Sequence, residues 1–309
     1  MNTKFVFGLA NESDDGELRA VIRQISMGGS ISIAFCREPS FFLAEKTGCI
    51  KNNTLVCRES DTGKIIGVGS RSLRRVYING TEKILWYLSM LRLLPEARNS
   101  MTLIRGYKYL RSLSSDSDES YSFTTILDDN VRAKKVLESG RAGLPDYTRI
   151  GTLVTYLIPL RAKRNIRLIR SDIVRCDKSM AVSACECLDK WNRCYNLAPI
   201  YTFDDITGQS GLLPNFSLNN LYAYVNSGRV LGTLGIWDQQ PFKQSIITSY
   251  SQGMRIVRPV YNIWSHINNL PILPKIGEKI NILYAPLLSV TNNNHSLFEQ
   301  LLDRAINDW

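Results

Sequence analysis

The chain has 309 residues, 44% hydrophobic and 21% charged, with a net charge of +10. That length suffices for two modest cores, so two domains are expected. No run approaches the roughly 18 apolar residues of a membrane span, and the opening MNTKFVFGLANESDD lacks the apolar core of a signal peptide, so a cytoplasmic protein is expected.

The first element is a helix in which Leu18, Val21, Ile22 and Ile25 form one apolar stripe. A hairpin follows: Thr54-Leu-Val-Cys57, a polar turn at Glu59 to Thr62, then Gly63-Lys-Ile-Ile-Gly67, with the turn glycine free to take positive φ. Ile84 to Leu94 is apolar enough for a strand buried on both faces. Pro95 to Ser100 interrupts it, and Met101 to Ser112 resumes at helical spacing. Tyr121 to Leu127 is a second β-rich run, and Asp128 to Gly140 reads as a helix that opens on capping residues and ends on glycine. Gly151 to Ile158 reads as a strand.

Arg161 to Lys178 is strongly basic, with seven Lys/Arg against Asp172 and Asp177. No aromatic residues interleave with it as a single-strand platform needs, so the stretch is expected to connect two domains and nucleic acid is not the expected partner. Beyond it a helix near 179–196 aligns Cys185, Leu188, Trp191 and Tyr195. Strands are expected near 221–225, 229–237 and 244–251, then a long strand at 280–290. The final helix, 296–309, sets Leu297, Leu301, Ala305 and Trp309 on one stripe.

These elements repeat. Gly228-Arg-Val-Leu-Gly232 echoes Gly63 to Gly67, Glu278-Lys-Ile-Asn-Ile-Leu-Tyr284 echoes Glu82 to Leu88, and the two helical stripes precede them in the same order. Three matching elements in register point to a duplication. The first copy continues for 40 residues that the second lacks (Tyr121 to Leu160). The expectation is therefore a second copy that is naturally short or cut off. Part of its last stripe and the edge of strand 280–290 would then be exposed, or covered by a homo-oligomer.

Cysteine usage is plain: the seven cysteines form no C-x-x-C pair, and only His266 and His295 could join them. Buried reduced thiols are expected, and no metal site.

The order strand, polar loop, helix, strand, Asn130-x-x-Ala133 helix in the first copy resembles the acyl-CoA-binding half of the GCN5-related N-acetyltransferases, the GNAT superfamily. The resemblance covers residues 4–160 well and 179–309 loosely. It implies an α/β (α+β) fold of two mixed-sheet domains in tandem: a complete domain over 1–160, a basic connector over 161–178 and a shortened second domain over 179–309.

It also implies a site. In that family the fourth strand splays from the fifth, pantetheine enters the gap, and an Arg/Gln-x-x-Gly-x-Gly/Ala loop wraps the diphosphate at a helix N-terminus. The expected contacts are the strand end Arg92, Leu93 and Leu94 and the loop Arg98, Asn99, Ser100, Met101, Thr102 and Leu103, whose backbone N–H groups face an anion. Arg98 matches the motif, while Met101 and Leu103 stand where the family has glycines. Asn130 and Ala133 are expected along the pantetheine arm. The tyrosine that often protonates the departing thiolate is replaced by Leu137, and the fourth strand carries no glutamate base, so no catalytic residue is named. The second copy's equivalent loop, Thr291 to Ser296, lacks glycine and a basic residue, and its asparagines and His295 are expected to cap a helix.

The implied function is acyl transfer from acetyl-CoA or another acyl-CoA to an amine. The alternative is a non-catalytic acyl-CoA-binding or interaction module on the same fold.

Overall fold

The computed structural model describes residues 4–98, 100–113, 121–160 and 172–309, with the backbone alone described at Ser100. Most of the basic stretch, 161–171, lies outside the described residues. In chain order the elements are β1 (Phe5–Leu9), α1 (Asp15–Gln24), β2 (Ile31–Cys36), α2 (Phe41–Glu45), β3 (Lys51–Glu59), β4 (Ile65–Ile78), β5 (Thr81–Leu93), α3 (Ser100–Ser112), β6 (Ser122–Thr124) and α4 (Val131–Leu137). They continue with β7 (Ile173–Arg175), α5 (Ala181–Asn192), α6 (Phe203–Ile206), β8 (Leu221–Asn226), β9 (Arg229–Gly235), β10 (Gln244–Tyr250), α7 (Gln252–Ile267), β11 (Ser289–Val290) and α8 (His295–Asp308).

The chain forms two compact units. The first takes 1–26, 40–74 and 84–157, and the second takes 158–309 together with 27–39 and 75–83. Two excursions from the front of the sequence thus belong to the second unit.

The first unit is built on a five-stranded sheet, in the order β1-β3-β4-β5-β6. β1, β3 and β4 pair antiparallel, and β5 and β6 pair parallel. Adjacent residues of the hairpin face opposite cores, as the two-residue period of a strand requires. Val56 and Ile65 meet Leu18, Val21 and Ile22 of α1 on one side, while Cys57 and Ile66 meet Phe5, Leu94 and Ala97 on the other. Of the expected stripe, Leu18, Val21 and Ile22 are buried in α1, and Ile25, just past its end, is half-buried. Asp15, at the start of that helix, accepts from the Ser40 hydroxyl at 2.8 Å and the Phe41 N–H at 2.9 Å, which ties α2 to it.

The second unit's main sheet has the order β11-β9-β8-β7, which matches the order of the first sheet without β6. Element for element, β7, α5, β8, β9, β11 and α8 answer β1, α1, β3, β4, β5 and α3. The duplication is therefore visible in the topology. In the turn between β8 and β9, Ser227 and Gly228 both take positive φ, the form a two-residue hairpin loop favours.

A second, two-stranded sheet is unique to this unit. β10 pairs antiparallel with β2, from Gln244 opposite Cys36 to Tyr250 opposite Ile31. The buried Gln244 side chain fastens that register, accepting from the Glu38 N–H at 3.0 Å and donating to its carbonyl at 2.8 Å. The tip of the β4–β5 hairpin lies against residues 197–200: Tyr77 donates its N–H to Ala198 and accepts from Leu197, and Ile200 donates to the Arg75 carbonyl. Arg75 reaches the buried Asp205 at 2.7 Å.

Five expectations are corrected. β5 is not buried on both faces: Leu85 and Trp86 are buried, whereas Ile84 and Leu91 are exposed. Residues 151–158 form no strand and are exposed throughout. The long strand at 280–290 is reduced to β11 and single bridges, Trp237 with Tyr284 and Ile246 with Lys279. Pro286 offers no donor there and Leu287 turns left-handed at φ 58, which breaks the ladder. α5 buries Ala181, Ala184, Cys187 and Leu188, while Tyr195 is exposed, so the buried face is rotated from the expected stripe. Finally, Leu297, Leu301 and Ala305 of α8 are buried against Ile173, Tyr222 and Leu234. The surface an oligomer was expected to cover is already covered within the unit along this stripe, and Trp309 alone of the four is exposed.

Candidate functional site

The site is set by where β5 parts from β6. Their parallel pairing covers three residues, Trp86 with Ser122, Tyr87 with Phe123 and Leu88 with Thr124. The Thr124 hydroxyl closes it by donating to the Leu88 carbonyl at 2.7 Å. Two residues later Met90 takes φ 55, a left-handed value inside a strand, which kinks β5. The strand end nevertheless stays with β4, because the Leu94 N–H donates to the Ile66 carbonyl at 2.8 Å. Residues 89–93 thus run past the end of the β6 pairing.

Gly67 of β4 permits this close approach of the strand end. A Cβ there would stand 2.5 Å from Leu93 Cδ2, 3.2 Å from Cys57 Cβ and 3.3 Å from the Arg92 carbonyl oxygen. Gly232, its repeat equivalent in β9, would meet Leu297 at 2.5 Å and Val290 at 3.2 Å.

Beyond β5, a 3-10 turn over Pro95–Ala97 buries Ala97 and leads to α3. The expected contacts Arg92, Leu93, Leu94, Arg98, Met101, Thr102 and Leu103 therefore lie along one strand end, turn and helix start. Asn99 falls outside the described residues. Arg98 folds back, its Nε donating to the Leu93 carbonyl at 2.8 Å, so part of its guanidinium is committed to the backbone. Arg92 Nη1 similarly donates to the Leu91 carbonyl. Met101 is 63% exposed and Thr102 is buried, so Met101 projects into solvent. The first turn of α3 presents its backbone N–H groups at the helix's positive end, an arrangement suited to an anion.

α4 begins in the same way after β6. The Asn130 side chain caps it, accepting from the Ala133 N–H at 3.1 Å. Because β5 and β6 are parallel, α3 and α4 both start from the same edge of the sheet, where ligands of open α/β sheets bind. Next to the cap, the Lys134 ammonium 2.8 Å from Asp128 holds that carboxyl below its ordinary value. Leu137 is buried and apolar.

Three features escaped the sequence reading. Met90 is one, and no local signal marks a left-handed methionine. The second is a half-buried phenol pair, Tyr107 of α3 with Tyr147, 2.8 Å apart. Burial pushes both phenols up, so both keep their protons. The third is Tyr87, whose ring packs on Phe123 with centroids 4.9 Å apart, lies under the Arg74 guanidinium and hydrogen-bonds Thr125 through its hydroxyl at 2.7 Å.

In the second copy the equivalent loop serves its helix. Asn292 and Asn293 take φ 53 and 51, and Asn294 caps α8 by accepting from the Leu297 N–H at 3.1 Å. His295 is exposed beside Glu299.

No protein-family model matches the chain, and no curated protein matches it in sequence. Solved structures do match. Saccharomyces cerevisiae N-myristoyltransferase with bound myristoyl-CoA and inhibitors superposes with a TM-score of 0.55 at 12% identity, covering 99% of this chain and 72% of that one. The GCN5-related glucosamine N-acetyltransferase region of a fungal multi-domain GH3 β-N-acetylglucosaminidase gives 0.54 at 14% identity, covering 99% of this chain and 34% of that one. Against another structure of the yeast N-myristoyltransferase the score is 0.47 at 12% identity, and the chain spans 63% of that protein's length. Likeness at this identity speaks for the fold, which is the GNAT fold in two tandem copies.

Proposed function

We propose, from the GNAT fold as premise, that the chain is an acyl-CoA-dependent N-acyltransferase whose donor site is the opening between β5 and β6. The first copy, within 1–160, holds that site; residues 161–178 connect it to the second copy, 179–309. The observation that supports this reading is the parting of β5 from β6 after Leu88 and Thr124, followed by a helix N-terminus. A pantetheine arm needs a sheet edge to pair with, and a diphosphate needs converging N–H donors. Arg92 to Leu94 would flank the arm, the backbone of Arg98 to Leu103 would hold the diphosphate, and Asn130 and Ala133 would lie beside it. The fold neighbour at TM-score 0.55 binds myristoyl-CoA. Acetyl-CoA is the donor we favour for this chain, and cytoplasm its location.

In the reaction, the lone pair of a deprotonated amine attacks the thioester carbonyl. A C–N bond forms, the C–S bond breaks, and the departing thiolate ends with the proton that the attacking nitrogen gives up. Holding donor and amine in contact supplies much of the rate, so a strong acid–base pair is not required. The half-buried phenols of Tyr107 and Tyr147 hold their protons too tightly to act as bases.

A second reading, an acyl-CoA-binding module without turnover, is supported by Leu137 and by the engagement of Arg98 with the Leu93 carbonyl. Calorimetry with acetyl-CoA and a long-chain acyl-CoA, followed by thiol release against a panel of amines, separates the two. Binding with release supports transfer, and binding alone supports the module. No binding at millimolar donor sinks both.

A further inference from the structure

One face of the first unit's sheet changes from apolar to polar along its length. Val56 and Val68, opposite each other in β3 and β4, pack with the apolar side of α1. Two residues further along each strand the same face carries Thr54 opposite Ser70, and two further again Asn52 opposite Ser72. Thr54, Ser70 and Ser72 are buried. Asn52 Oδ1 accepts from the Thr54 hydroxyl at 3.0 Å, while its Nδ2 is buried and meets no acceptor among the described residues. A buried donor left unpaired lowers stability, so such a group in a core position points to a use beyond packing.

Arg74 continues the row. Its Nε donates to the Ser72 hydroxyl at 3.4 Å, and its guanidinium lies 4.3 Å from the centroid of the Tyr87 ring. It is half-buried, yet among the described residues no carboxylate pairs with it, whereas the half-buried Arg19, Arg58 and Arg75 each have an aspartate. Stacking on Tyr87 fixes the guanidinium plane and leaves both Nη groups for a fork of hydrogen bonds, the geometry that suits a carboxylate or a phosphate. Tyr87 stands one pair before the β5–β6 pairing ends at Leu88, and Ser89, on the same face of β5, is the first residue past it. Building on the acyl-transfer reading, we propose that this row is the acceptor subsite. Arg74 takes an anionic group, so the acceptor is an amine that also carries a carboxylate or a phosphate, at about the 7 Å that two strand residues span.

Thiol release from acetyl-CoA with matched amines tests this: δ-aminovalerate against its amide, and aminopropyl phosphate against aminopropanol. A preference of about tenfold to a hundredfold in kcat/KM for the anionic member, carried by KM, is expected. The pair that shows it tells carboxylate from phosphate. Arg74→Met keeps the stem over Tyr87 and removes the fork, so the ratio should fall to near one. Arg74→Lys keeps the charge alone and should fall between. A purely structural role would lower both members together and leave the ratio unmoved. Equal use of both members by the unaltered protein, or an unmoved ratio in folded Arg74→Met, overturns the proposal and leaves acyl transfer standing. Should Arg74→Met not fold, the Arg74→Lys ratio decides. Should no amine release thiol, transfer fails, and calorimetry of the same two anions with CoA present decides the subsite: binding that Arg74→Met loses supports it, and no binding overturns it.

Discussion

Gly67 and Gly232 occupy equivalent places in the two copies, each where a strand of the hairpin must admit a neighbour closely. At Gly67 an added methyl meets Cys57 Cβ and the Arg92 carbonyl, neither of which can swing away as Leu93 can. Gly67→Ala is therefore expected to lower stability by about 1–3 kcal/mol, the usual cost of overpacking, measured by urea denaturation. A neutral result would mean that the end of β5 shifts freely, which would also weaken the argument for a rigid opening there. Gln244 makes a different kind of contribution. Gln244→Ala leaves the Glu38 N–H and carbonyl without their partner, so a loss of about 1–3 kcal/mol is expected in the same measurement. Asn130 was legible in the sequence, since an asparagine before an apolar helical run has a local capping role. Met90 and Gln244 were not, because their roles depend on strands distant in sequence.

Elements whose partners are local were read well from sequence: α1, both hairpins, α3, α4 and α8. Those that need a distant partner were misread. Residues 151–158 have the β-rich composition of a strand yet find no ladder, and composition alone does not form one. α5 was aligned on its largest residues, whereas its buried face uses Ala181 and Ala184, small enough to admit neighbouring chain closely. α7 was missed because Pro259 and a run of β-branched residues argue against a helix, and the structure accommodates Pro259 within one. At the proposed donor site, the strand–turn–helix order was legible, but where β5 parts from β6 depends on the short reach of β6. At this scale one substitution is diagnostic. Asn130→Ala removes the cap of α4 and should cost about 1 kcal/mol in thermal unfolding. Under the proposed function it should also weaken acyl-CoA binding, while Leu137→Ala should cost more stability, about 2–5 kcal/mol, through a cavity.

Across the whole molecule, acid sensitivity follows from four carboxylates. Burial alone would raise Asp14, Asp15, Asp205 and Asp308, but hydrogen bonds and arginine partners outweigh it and hold all four below the ordinary value. A depressed folded value means that the unfolded chain binds more protons, so stability is complete above the ordinary carboxylate range and is lost as pH falls through the folded values. The melting temperature should be flat with respect to these groups above about pH 5 and fall below about pH 4. Asp205→Asn should lower it at neutral pH and make the acid limb shallower, because Arg75 loses its charged partner. An unchanged acid limb would show that Asp205 does not contribute to it.

The pairing of β2 with β10 has a consequence for biosynthesis. Glu38 and Gln244 are 206 positions apart, so the ribosome completes the first unit's sheet long before β10 exists. At ordinary elongation rates β2 waits roughly 10 to 40 s without its partner strand. A nascent chain at that stage presents an open edge to chaperones and to other nascent chains. Ribosome-bound chains arrested before Gln244 should be cut by protease within 27–39 while 51–74 resists, and release of the full chain should abolish that cleavage. Any slowing of translation between Ser40 and Gln244 would lengthen the exposure, so the yield of folded protein should depend on codon speed across that interval.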